Sequence, residues 1–259
     1  MITANFEDHP DHRINFFRLL EAINRHAFPA MLRLNAQQFQ LVMDSIIWAM
    51  KHLERNIADT GLQILYDLIH NVQMSDIAND FYKTYFISLL QDILGVLTDT
   101  LHKPGFRIQS LILAKLFSIL ETGAITVPLW VNAVRSTHAH ARRVCSGSCP
   151  SSAPVKLACC SCCRVSSVFF FFVCSFKSNP NPNAFPNNVV YVRQFVSNLL
   201  LKAFPNLTPP QVDAFVVGLF TTQKNVQDFK THLRDFLVQL KVRNNNTQTR
   251  TDGRTDRPH

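Results

Sequence analysis

The sequence predicts an all-α protein, a solenoid fragment of stacked antiparallel helical hairpins. Three observations predict it. Apolar residues recur at spacings of three and four: Phe39, Val42, Met43, Ile46, Ile47 and Met50 make one stripe, and Val226, Phe229, Leu233, Phe236, Leu237 and Leu240 another. Prolines fall between such stretches, with none from Pro29 to Pro104. A proline inside a helix costs about 3 kcal/mol, so their placement outlines where helices run. No segment alternates with period two between turn residues, as a strand would.

Taken in order, the first helix spans residues 11–28, between Pro10 and Pro29. The second covers 35–53, with Asn35 placed to cap it, and the third covers 55–73. The fourth, 76–101, carries Phe81, Tyr82, Tyr85, Phe86, Leu89, Leu90, Ile93 and Leu97 over a broad arc, as expected of a helix touched from two sides. Gly105 and Gly123 stand at expected chain reversals around the fifth, 106–121. Helices at 188–204, 210–222 and 226–241 complete the set, with Thr208 placed to cap the second of these.

Short connectors pair 11–28 with 35–53, 55–73 with 76–101, 106–121 with 188–204, and 210–222 with 226–241. The first two pairs begin about 44 residues apart, near the roughly 40–47 of HEAT or armadillo units. A lone hairpin does not bury both apolar faces, so such units stack on one another. The same periodicity fits a compact bundle; the repeat spacing favours a HEAT-repeat superhelix.

The formal charge of +8 suggests an anionic partner until the chain is divided. Residues 131–178 hold six basic side chains (Arg135, Arg142, Arg143, Lys156, Arg164, Lys177) and no acid; residues 241–259 hold five against Asp252 and Asp256. The rest is nearly balanced, with 15 basic and 16 acidic residues. All seven cysteines (Cys145, Cys149, Cys159, Cys160, Cys162, Cys163, Cys174) also lie in the middle stretch, so the body of the chain offers no disulfide framework. The start, MITANFEDHPDHR, lacks the basic and apolar regions of a signal peptide. The most apolar run, 165–176, is shorter than the roughly 20 residues of a membrane helix, and no membrane association is expected.

Cys159, Cys160, Cys162 and Cys163, with Cys145, Cys149, His138 and His140 upstream, raise the possibility of zinc. Against it, four cysteines within five residues do not form two separated ligand pairs, and the segment has no carboxylate to orient a histidine. The bland reading, with no metal and no cofactor, is preferred. The arginines of this stretch, and Arg250, Arg254 and Arg257 in the tail, lack the interleaved order of a nucleic-acid surface, and no nucleic-acid partner is expected. Phosphate-loop, dinucleotide, nucleophile-elbow and HExxH motifs are absent, so an enzyme is not expected. Asp44, Asp59, Asp92, His52 and His70 are spread as solvated helix faces would spread them, and Trp48, on an apolar stripe, is either core or an exposed contact residue. No catalytic, cofactor, metal or partner-binding residue is assigned.

Five segments carry a resemblance: NFEDHPDHRINFFRLLEAINRHAFP, FQLVMDSIIWAMKHLERNIADTGLQIL, FYKTYFISLLQDILGVLTDT, NLLLKAFPNL and FKTHLRDFLVQLK. Together they resemble the C-terminal region of the exportin-1 family of nuclear export receptors, in the importin-β superfamily, over about residues 5–130 and 183–241. The first resembles a receptor interior, so Met1 is expected not to be the natural start. The resemblance implies a ring-like stack of HEAT repeats that shuttles between nucleus and cytoplasm. It implies Ran-GTP, cargo with leucine-rich export signals and nucleoporins as partners, with Ran-GTP and cargo each favouring a ring conformation that the other binds better. The family's export-signal groove and principal Ran contacts lie in repeats outside this stretch, so no site residue is carried over.

Two departures divide the chain. Residues 1–130 and 179–241 are expected to be the two parts of the family region. Between them, residues 131–178 hold ten serines, seven cysteines and the run Phe169–Phe172. A pyrimidine-rich tract before a splice acceptor translates into such a run, so this stretch is expected to be a disordered retained intron or gene-model error. After FLVQLK the family continues into acidic sequence, whereas residues 242–259 are polar and basic and are expected to be a disordered tail. Two rival functions fit periodicity or composition alone: a helical interaction scaffold unrelated to transport, and a zinc or nucleic-acid binder acting through the Cys-rich stretch.

Overall fold

The computed structural model describes residues 9–122, 124–129 and 188–251, with only the main chain for Thr100 and residues 242–251. Among the described residues the regular structure is all helical. The order is α1 (Pro10–His26), α2 (Phe28–Met31), α3 (Ala36–Met50), α4 (Arg55–Gln73), α5 (Ala78–Thr98), a 3-10 turn (Thr100–Gly105), α6 (Phe106–Glu121), α7 (Asn188–Ala203), α8 (Pro209–Thr222) and α9 (Val226–Thr251). Residues 131–178, and Gly123 with its expected reversal, lie outside the described residues.

The predicted caps form. Asn35 accepts the Gln38 main-chain N–H at 2.9 Å while the Gln38 side chain accepts the Asn35 N–H at 3.1 Å, satisfying two donors that a helix start leaves unpaired. Before α8, the Gln211 amide oxygen accepts from both the N–H and the hydroxyl of Thr208. Pro209 and Pro210 occupy the first turn, where a missing N–H costs nothing.

Three elements differ from expectation. Residues 28–31 form a helical turn of their own after Ala27 leaves the helical conformation, with Pro29 inside its first turn. The helix predicted over 76–101 runs only from Ala78 to Thr98: Asp99 is extended and its carboxylate accepts the Leu101 N–H at 3.0 Å, starting the 3-10 turn that contains Pro104. The tail, expected to lose structure from 242, stays helical through Thr251. Asn, Thr and Gln cost only a few tenths of a kcal/mol each in a helix, and no glycine or proline occurs from Val226 until Gly253.

The described residues fall into two compact units, 9–116 with 124–129, and 117–122 with 188–251. In the first, α3 and α4 are joined by four residues and make the most extensive helix contact, crossing where Gly61 meets Ala49 and Met50. This contact joins the second predicted hairpin to the first. α1 runs parallel to α4, and α3 parallel to α5. α4 buries Ile57, Ala58, Leu62, Ile64, Leu65, Leu68, Ile69 and Val72, an arc broad enough for α1, α3 and α5 together. α5 likewise buries Phe81, Tyr82, Phe86, Leu89, Leu90, Ile93 and Leu97, as its sequence arc predicted. Burying a large apolar side chain contributes about 1.5–3 kcal/mol, so these interior helices hold the unit. Gly105, where the 3-10 turn meets α6, makes room: a Cβ there would stand 2.8 Å from Leu62 Cδ1.

In the second unit the end of α6 and helices α7, α8 and α9 share an aromatic core. Phe117 meets Phe220 edge-on at 4.9 Å, and Phe215 stacks on Phe236 at 3.7 Å. The Arg193 guanidinium lies 4.6 Å above the Phe220 ring, linking α7 to α8.

Candidate interaction site

The polar side chains of the first unit join helices rather than gather into a reactive cluster. Arg13 of α1 holds Glu54, just before α4, at 2.7 Å. Asn24, fully buried, donates to the Ile64 carbonyl of α4 at 3.0 Å, and the Asn71 amide returns a bond to the Asn24 carbonyl at 2.7 Å. Arg25 reaches Asp67 at 3.0 Å; that hydrogen bond and the carboxylate charge raise the guanidinium further above its ordinary value. One step along the chain, the Tyr85 hydroxyl donates to Gln40 at 2.9 Å and Lys51 pairs with Asp92 at 2.6 Å, tying α5 to α3. Asn79 accepts the Thr126 N–H at 3.0 Å. Every one of these bridges spans 40 to 47 residues of sequence. A contact that recurs at the repeat length is what parallel stacking of successive helical pairs produces.

Of the residues considered for chemistry, Asp92 enters one of these bridges and Asp59, Asp44 and His52 make local contacts. Asp92 pairs with Lys51, Asp59 with Arg55 at 3.4 Å, and Asp44 accepts from Gln40 at 2.7 Å. His52 Nδ1 accepts the Glu54 N–H at 2.9 Å, while His70 is exposed. Trp48 is half-buried, parallel to the Phe17 ring at 6.0 Å and 4.7 Å from the His52 ring, so it belongs to the packing between α1 and α3. Among the described residues no three histidine, cysteine or acidic side chains are grouped to hold a metal, and no helix is long and apolar enough to cross a membrane. The cysteines and histidines weighed for zinc, the arginines at 135, 142, 143 and 164, and Arg254 and Arg257 lie outside the described residues.

Buried hydroxyls add to the interior polarity. Tyr82 donates to the Ile69 carbonyl at 3.3 Å, and burial raises its ionisation well above the ordinary phenol range. Burial, with the Asp44 charge second, pushes Tyr85 up to about 12, and burial raises Tyr191 in the second unit.

Exposed apolar side chains are the remaining feature suited to protein contact. Leu19 of α1 is 60% exposed beside Phe16, and Leu53 and Leu101 stand out on connectors. Sequence periodicity does not separate these from core positions. It also missed Asn24, a polar residue in the apolar stripe of Phe17 and Leu20, and His102, which lies in a turn where no stripe marks it.

A chain of parallel-stacked helical pairs, bridged at the repeat length and without a reactive centre among its described residues, defines a helical-repeat protein. The family model for the CRM1 C-terminal region matches residues 1–148 and 172–245. Protein EXPORTIN 1A of Arabidopsis thaliana is 40% identical over 241 residues, and exportin-1 of Schizosaccharomyces pombe is 41% identical over 243. Exportin-1 of Drosophila melanogaster is 37% identical over 242. Each comparison covers 93% of this chain and 18% of the relative, so the chain spans less than a fifth of the relatives' length. The chain belongs to the exportin-1 family, and its helices correspond to that family's C-terminal region.

Proposed function

We propose that this chain is the C-terminal arc of a nuclear export receptor, working by protein contacts without catalysis. In this reading the whole receptor shuttles between nucleus and cytoplasm, loads Ran-GTP together with leucine-rich-signal cargo and passes nucleoporins. The arc contributes curvature and stiffness to the conformational switch, and the cargo groove belongs to other repeats. The observation that carries the reading is the similarity to exportin-1 relatives over 93% of the chain. The bridges at 40–47 residues support it, because they transmit displacement from one helical pair to the next.

Fluorescence anisotropy with a labelled leucine-rich export peptide, with and without Ran-GTP, tests this. The chain alone is expected to show no cooperative loading, and a fungal exportin-1 whose C-terminal region is replaced by this chain is expected to keep it. Cooperative loading of the isolated chain at micromolar concentration or tighter overturns the division of labour.

We propose also that residues 131–178 are foreign to the fold, between family parts at 1–130 and 179–241. The family match leaves residues 149–171 uncovered, which supports the reading for the centre of the stretch, while it extends over 131–148 and 172–178. Deleting 131–178 is expected to preserve helicity and the unfolding midpoint; an abundant spliced message that retains these codons overturns the proposal.

A further inference from the structure

His102 lies in the turn between α5 and α6, with its side chain 4% exposed. Each ring nitrogen faces an oxygen. Nδ1 is 3.1 Å from Asp99 Oδ2, and Nε2 is 3.1 Å from the Lys51 carbonyl at the end of α3. A main-chain carbonyl and a carboxylate both accept, whereas a neutral imidazole has one N–H to donate. We infer that His102 carries both ring protons in the folded chain and acts as a buried cationic bolt between the end of α3 and the 99–105 turn.

The surroundings hold both acceptors in place. The other Asp99 oxygen accepts the Leu101 N–H at 3.0 Å, so the carboxylate is anchored by its own turn. The Gln109 amide of α6 donates to the His102 carbonyl at 3.1 Å, and the absence of a side chain at Gly105 admits Gln109. The Lys51 carbonyl stands at the negative end of the α3 dipole, which favours a cation there. Other charged groups on the elements around the ring have partners or solvent of their own. Lys51 is paired with Asp92, Arg55 with Asp59 and Glu54 with Arg13; His52 accepts the Glu54 N–H; Lys103 and Arg107 are exposed.

Lys51 and His102 sit in successive helical pairs, 51 residues apart, so the bolt adds a tie to those that Lys51 makes with Asp92 and Tyr85 with Gln40.

Side-chain nitrogen-15 spectra of the full chain at neutral pH, with His102→Gln to assign the signals, test the inference. Both ring nitrogens of His102 are expected to be protonated. One bare nitrogen, with or without a proton on Asp99, overturns it, and this measurement on the unsubstituted chain holds even if a variant fails to fold. Asp99→Asn is expected to leave the ring with one proton. It should also speed amide exchange at residues 51–54 and 99–105 by about tenfold, the scale of a lost charge-assisted hydrogen bond, while α7 to α9 are unchanged. Unaltered exchange in both segments would show that no bolt exists.

Discussion

A Cβ added at Gly61 of α4 would stand 2.6 Å from the main-chain nitrogen of Met50 in α3, and 2.7 Å from Ala49 Cβ. Glycine in a helix interior costs about 1 kcal/mol relative to alanine, so propensity alone favours Gly61→Ala. Backbone is the obstacle here, and it gives way poorly. Gly61→Ala should therefore lower stability by about 1–3 kcal/mol despite its propensity gain, read as a drop in the urea midpoint.

Gly218 of α8 makes the opposite case. Its added Cβ would meet the His232 ring of α9, a side chain able to swing away. His232 Nε2 lies 2.8 Å from the Phe215 carbonyl, and the ring stacks on Phe215 at 5.1 Å. Gly218→Ala alone should cost about 1 kcal/mol through that lost hydrogen bond, with propensity offsetting part of it. Combining it with His232→Ala should cost less than the sum of the single changes, since both remove the same contact, and a double-mutant cycle measures the coupling.

Asn24 donates to one carbonyl of α4 and its own carbonyl accepts from Asn71, all in the interior. Asn24→Ala should cost about 1–3 kcal/mol by removing a buried hydrogen bond and leaving a void. Asn24→Asp should cost more at neutral pH, because a carboxylate would face the Ile64 carbonyl, and should recover in acid as the carboxyl gains a donor proton. Urea unfolding at two pH values distinguishes the variants.

Alkaline pH should act on the two buried phenols of α5. Tyr85 ionises near 12 in the fold against an ordinary 10.0, and Tyr82 is raised further. Between these limits the unfolded chain releases protons that the folded chain keeps, so stability is intact below about pH 10 and falls as pH rises toward 12. Tyr82→Phe should flatten that decline in alkaline urea titrations. Tyr85→Phe should flatten it too, while losing the bond to Gln40 at every pH.

Much of the helical framework was legible because a 3.6-residue stripe and a proline stop are local signals. Asn35 with Gln38, and Thr208 with Gln211, announce helix starts within four residues. The repeat spacing of about 44 foretold the register of the bridges, which span 40–47 residues. The partners in these bridges were hidden: Asn24 stands out only as a polar residue in an apolar stripe, and its acceptor, Ile64, lies 40 residues away. The end of α5 was misjudged because Asp99, ordinary within a helix, instead starts the next turn through its side chain. The length of α9 was misjudged because weak helix formers without a breaker extend a helix that is already anchored.

Bridges tied to a fixed sequence offset make the chain unequally tolerant of changes in length. One residue inserted within α4 would rotate everything beyond it by about 100°, so Ile64, Asp67 and Asn71 would all miss their partners on α1. The same insertion between rods adds only slowly growing closure entropy. Extra sequence in a chain of this design is therefore tolerated at the joints, and the long cysteine-bearing stretch falls at one of them, after α6 ends at Glu121 and before α7 begins at Asn188.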